Sequence, residues 1–149
     1  MSKVTVTGSL VEIAENITGD IAQEMERRSY QAANELRNAA LLVLRGQRSG
    51  RRYRVPGTKR YYTASAPGEP PAVRTGTFRN SWQPETRSTF GSYISRISSD
   101  ARTDNGRHTL GEILENGTSR MAPRSHHERI LEQAEPQIVR IYDQPYFND

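Results

Sequence analysis

The sequence predicts an α+β domain: a small antiparallel sheet packed against one long N-terminal helix and a C-terminal helix, with a long basic loop between them. Three observations carry this. Ile21, Met25, Ala32, Leu36, Ala39 and Val43 recur at three- and four-residue steps, with one turn given to Arg28-Ser29. Short β-type runs, separated by turn residues, fill the stretch from Thr77 to Leu114. A second apolar stripe, Ile130, Leu131, Ala134, Ile138 and Ile141, closes the chain.

Val4-Thr5-Val6 is a β-branched alternation and predicts a first strand, broken by Gly8. Ser9 stands three residues before Glu12, a capping-box pattern, and Leu10, Ile13 and Ile17 share one side of a short helix. Thr18-Gly19 interrupts it, and Asp20 with Gln23 caps the long second helix. That helix runs to about Arg45, ends at Gly46, and carries Glu24, Arg27, Glu35 and Arg37 on its polar side. Its Ala32-Ala33 and Ala39-Ala40 pairs offer a small-residue surface for close packing.

Residues 46–74 show no period and hold glycines and prolines throughout, so regular structure is not expected for most of them. Three antiparallel strands follow: one through Phe78 and Trp82, one over Tyr93–Ile97, one over Leu110–Leu114. Asn105-Gly106 supplies a hairpin turn. Ser125 and Glu128 repeat the capping-box spacing, Pro136 is expected to kink or split the last helix, and Gln144–Asp149 reads as a tail.

At 149 residues the chain suits one domain over 1–149. Apolar residues make up 34%, and the mean hydropathy is -0.81, so a lone subunit buries a modest core and gains by packing on copies of itself. The absence of cysteine excludes disulfides and thiolate zinc sites. No apolar run approaches the ~20 residues of a membrane span, and the N-terminus lacks the apolar stretch of a signal peptide. A soluble protein made in a cytoplasm, with no membrane partner, is expected.

The net charge of +4 is unevenly spread. Residues 45–102 hold twelve basic and three acidic side chains, whereas 1–44 and 103–149 are mildly acidic. Such polarity draws nucleic acid, or lets an acidic face of one subunit meet a basic face of the next. The basic centre is a loop with Arg45, Arg48, Arg51, Arg52, Arg54, Lys59 and Arg60, interleaved with Tyr53, Tyr61 and Tyr62. Arginine forks onto phosphates and tyrosine stacks on bases or on arginine. The same arm equally fits an acidic neighbouring subunit, and no nucleic-acid-binding motif surrounds it.

Two further segments are distinctive. In APGEPPAVRTGTFRNSW (66–82) prolines hold the chain extended and Gly76 permits a sharp turn into a strand. In LENGTSRMAPR (114–124) a strand ends at Asn116-Gly117, a small bend follows, and Arg120 is placed to bond backbone carbonyls or Glu115. Neither segment carries a catalytic pattern. Together, and in their order among the helices, they resemble the tail-component family of long-tailed bacteriophages. These are small tail-completion or head–tail joining proteins, similar to the lambda minor tail protein Z.

The resemblance implies an α+β subunit in a closed six-fold ring at the neck or upper tail. Its partners would be itself, the connector, and the tail-tube or tail-terminator proteins, with DNA in the lumen; it would be found in the virion. It implies structural roles for Thr75, Gly76, Arg79, Asn80, Ser81, Gly117, Thr118, Arg120 and Pro123. The chain departs from relatives that continue the second motif as R-P-F-L-R-P, having Arg124-Ser125-His126-His127-Glu128-Arg129 instead. The arginine-rich loop is likewise an elaboration.

No enzyme is expected: there is no G-x-S-x-G elbow and no glycine-rich phosphate loop. No cofactor or metal is expected either. Adjacent histidines on a helix, such as His126-His127, point about 100° apart. A free nucleic-acid-binding module using 45–62 is the rival reading, and a tail-terminator or head-completion role the variant within assembly.

Overall fold

The computed structural model describes residues 10–147, so the strand expected at Val4–Val6 lies outside the described residues. The fold is α+β. One helix, α1 (Leu10–Val43), runs without interruption where two helices were expected. Thr18 stays helical by donating its hydroxyl to the Ala14 carbonyl (2.8 Å). Gly19 faces open space; a lone glycine costs a helix about 1 kcal/mol, which 34 residues absorb. Gly46 does not form the expected left-handed cap. Instead Arg48 folds back and gives Nη2 to the Val43 carbonyl at 2.8 Å.

The long loop is partly regular. β1 (Arg52–Arg54) and β2 (Tyr61–Thr63) form an antiparallel hairpin with Tyr53 opposite Tyr62. Val55 is buried beneath its turn, where its amide bonds the Arg60 carbonyl at 2.9 Å. Prolines and glycines close this hairpin rather than forbidding it, with Gly57 taking the positive φ of 74°.

The three expected strands become two strands and two short helices. α2 (Thr77–Asn80) holds Phe78, and β3 (Trp82–Thr89) pairs with β4 (Ser92–Ser99) in a separate two-stranded sheet. Phe78 and Trp82 still meet, edge to ring at 5.6 Å, although one lies in α2 and the other opens β3. α3 (Leu110–Asn116) is helical where a strand was expected. Leu110, Ile113 and Leu114 have the i, i+3, i+4 spacing of a helix, and the Asn105-Gly106 turn before them closes one isolated bridge, Arg102 to Thr109, instead of joining two strands.

The last helix, α4 (His127–Tyr142), passes through Pro136 intact. Pro136 and Glu132 are both exposed, so the carbonyl that loses its donor lies on the water side. The Ser125–Glu128 capping box does not form. Glu115 of α3 supplies the carboxylate, accepting the amides of His126 (2.8 Å) and His127 (3.3 Å).

The core forms where α1 meets α4 and the β3–β4 sheet. Ala39, Ala40, Leu44, Trp82, Ile130 and Ala134 are buried there, with Leu36, Phe78, Ile97 and Ile138 packed around them. The alanine pairs of α1 work as expected, letting Trp82 and α4 approach the helix backbone closely. Leu131, by contrast, is exposed, so the α4 stripe is narrower than its sequence implies. The Arg28-Ser29 turn is buried although polar. Ser29 exchanges hydrogen bonds with Ser95 of β4, and Arg28 reaches the carbonyls of the chain's last turn. No described helix is long and apolar enough to cross a membrane.

Candidate functional site

The basic hairpin is an exposed, self-stacked platform. Arg52 lies over the Tyr61 ring at 4.7 Å and Arg51 over Tyr53 at 5.7 Å, while Tyr53 and Tyr62 face each other at 6.0 Å. Pairing across β1–β2 puts these rings beside the arginines, which holds the guanidinium planes open to solvent. Arg54 bonds the Thr58 carbonyl at 2.6 Å and braces the turn. Arg51, Arg52, Tyr53, Arg54, Lys59 and Arg60 are all exposed, as is Arg45 in the turn after α1.

Arg48 departs from this group. Its guanidinium is half-buried and is used on the carbonyls of Val43, Gln47, Pro70 and Pro71, so it holds the loop instead of presenting charge. Glu69, which no sequence pattern singles out, completes that anchor. It accepts the hydroxyl and amide of Ser49 and the amide of Ala66. These bonds, Ser49's hydroxyl first, hold its carboxyl down at about 2.

The two distinctive sequence segments come together. Thr75, Gly76, Phe78 and Arg79 from the first, and Leu114, Met121 and Arg124 from the second, line one cleft of about 690 Å³. Gly76 turns at φ 87°, and Arg79 donates to the Leu41 carbonyl of α1 at 3.0 Å. Ser81 bonds the Phe78 carbonyl (2.7 Å) and meets Ser99 of β4, which ties α2 to the sheet. Asn80 is exposed.

In the second segment the amides and carbonyls of Thr118 and Met121 pair to close a tight bend. Gly117 enters it at φ 75°, ψ −172°, and Pro123 packs so near that a side chain there has no room. Arg120 is exposed, and Glu115, proposed as its partner, is taken by α4. Arg124 faces the cleft with Nη1 buried and unpartnered among the described residues, a group that sequence reasoning missed.

Two further features lie away from the core. Every residue from Val11 to Asp20 except Ile13 is exposed, Val11 and Ile17 included, so among the described residues the first turns of α1 bury little against the rest of the fold. Between Leu10 and Glu26 this segment bears only acidic charges: Glu12, Glu15, Asp20, Glu24 and Glu26. At the β3–β4 tip Phe90 is fully exposed and holds φ 49°, a conformation that bulky residues avoid. Comparison of the chain with family models, with curated proteins and with solved structures returns no match.

Proposed function

We propose that the chain is a structural subunit of a tailed-phage virion. It closes into a ring at the neck or top of the tail, completes the tail and joins it to the head, and it does so without catalysis. The observation that carries the reading is the projecting start of α1. Most helical stability in proteins comes from tertiary packing, which the turns from Val11 to Asp20 gain little of, and Val11 and Ile17 sit on them exposed. A second subunit that covers them stabilises the segment. In the proposed ring the acidic α1 projection of one subunit meets the basic hairpin of the next, a heterologous contact that repeats until it closes. Phe90 supplies an apolar knob for the same purpose, or for a connector or tail protein above or below. The resemblance of residues 66–82 and 114–124 to tail-completion proteins supports the same reading, and the cleft those segments share gives them a common place to act.

A rival reading follows from the Arg52–Tyr61 and Arg51–Tyr53 stacks, whose open faces suit single-stranded nucleic acid. Gel shifts across a salt series separate the two. Assembly predicts weak binding by the isolated subunit; tight binding with a steep salt slope, lost when Arg51, Arg52 and Arg54 become Ser, favours the rival. The role itself is read from micrographs of particles made without this chain. Full heads beside separate finished tails are expected. Absence of tails would shift the assignment to a tail-terminator role, and normal joined particles would refute it.

A further inference from the structure

We propose that Glu115, His126 and His127 form a binding site for a divalent transition-metal ion of the Zn²⁺ or Co²⁺ class. The donor set is two imidazoles and a carboxylate, the combination such borderline ions favour over Mg²⁺ or Ca²⁺. One ligand atom from each residue lies within 4.8 Å of the other two. His126 Nδ1 is 2.9 Å from Glu115 Oε2, and His127 Nδ1 is 3.9 Å from it. Those separations bracket the roughly 3.3 Å between ligands on a tetrahedral ion with bonds near 2.0–2.1 Å.

The sequence argued against such a site because neighbouring helical side chains diverge. His126 is not helical, however. It occupies the N-cap of α4 at φ −138°, ψ −22°, which swings its ring toward that of His127, 4.6 Å away between centroids. The third ligand comes from α3, not from the adjacent Glu128.

The site is built before any ion arrives. His126 is completely buried, edge-on to Phe78 and Trp82 at 5.5 and 5.9 Å. His126 Nδ1 lies 2.9 Å from both Glu115 Oε2 and the Arg124 carbonyl, so it holds a proton that an incoming ion must displace. Glu115 is fixed by the two α4 amides. Glu115 also lines a cleft of about 380 Å³, shared with Thr109, Glu112 and His127, which leaves room for water at the remaining coordination positions. The α4 N-terminus opposes a cation; the Glu115 carboxylate offsets it. A purely structural Glu115 cap accounts for the carboxylate and the amides; the exposed His127 ring, packed edge-on to Trp82 and His126, brings a third donor to 3.9 Å from the same oxygen.

The test uses the full, untagged chain after chelator treatment, titrated with CoCl₂ alone. Trp82 is the only tryptophan and its ring lies within 6.1 Å of both imidazoles, so a paramagnetic ion bound there quenches its fluorescence. Saturable 1:1 quenching, reversed by ZnCl₂, is expected. His127→Ala, an exposed site that leaves the fold intact, should weaken it at least about tenfold; His108→Ala, outside the cluster, should not. Glu115→Gln should weaken it too, and if that variant fails to fold, His127→Ala alone decides. No saturable quenching, or equal binding by His127→Ala, overturns the site.

Discussion

Replacing Arg28 by alanine should destabilise the protein by about 3 kcal/mol, among the largest single losses any side chain here would cause. Arg28 is 1% exposed. Its Nε meets Glu24 at 2.8 Å, and its two terminal nitrogens reach the carbonyls of Gln144 (2.6 Å) and Pro145 (2.7 Å), with Tyr142 at 3.3 Å. The Tyr146 ring covers the guanidinium at 4.1 Å. Alanine would leave these carbonyls without donors and a void against α1, while Glu24 keeps Arg27. Residues 142–147 would then detach. Lysine carries the charge but lacks the planar fork, so Arg28→Lys should recover only part of the loss. Denaturant melts give the magnitude, and hydrogen exchange at 142–147 locates it. An unchanged midpoint would show that the C-terminal segment does not stabilise the fold.

Gly117→Ala should cost about 2–4 kcal/mol, the other large effect. At φ 75° and ψ −172° the backbone lies where residues with a Cβ rarely go. An added Cβ would also stand 2.7 Å from the Met121 carbonyl oxygen and 2.8 Å from the Pro123 nitrogen, and neither backbone atom can step aside. Gly106 is the control. Its φ is 67° but open space surrounds it, so Gly106→Ala should cost only about 1–2 kcal/mol. Equal melting shifts for the two variants would mean that crowding at Gly117 is relieved elsewhere.

These two residues show how far the sequence could be read. Gly117 stood out as a bend residue, but only the folded chain shows Pro123 closing on it. Arg28 appeared as a gap in an apolar stripe, because its partners are backbone carbonyls more than a hundred residues away. The part of α1 after Asp20 and its alanine faces were legible from spacing alone, whereas its unbroken passage through Thr18-Gly19 was not. At residues 110–114 a strand was expected, because a segment with only Leu110, Ile113 and Leu114 as large apolar residues is too short to fix its period; contacts with Phe78 and Arg124 accompany the helix that forms. The hairpin at 52–63 was hidden by prolines and glycines that shape its turn. Of the candidate surface, the exposed arginines and tyrosines were visible in composition. The internal use of Arg48 was not, and neither was the approach of His126 to His127, which depends on a single non-helical residue.

The proposed ring rests on α1 projecting an acidic, partly apolar segment whose exposed Val11 and Ile17 a second subunit covers. Mass photometry of the purified full chain, beside a Val11→Asp/Ile17→Asp variant, tests this directly. A discrete multiple of the 16.9 kDa subunit, falling to the single subunit in the variant, is the result this account requires. A lone subunit at every concentration, or an oligomer indifferent to the two aspartates, would contradict it.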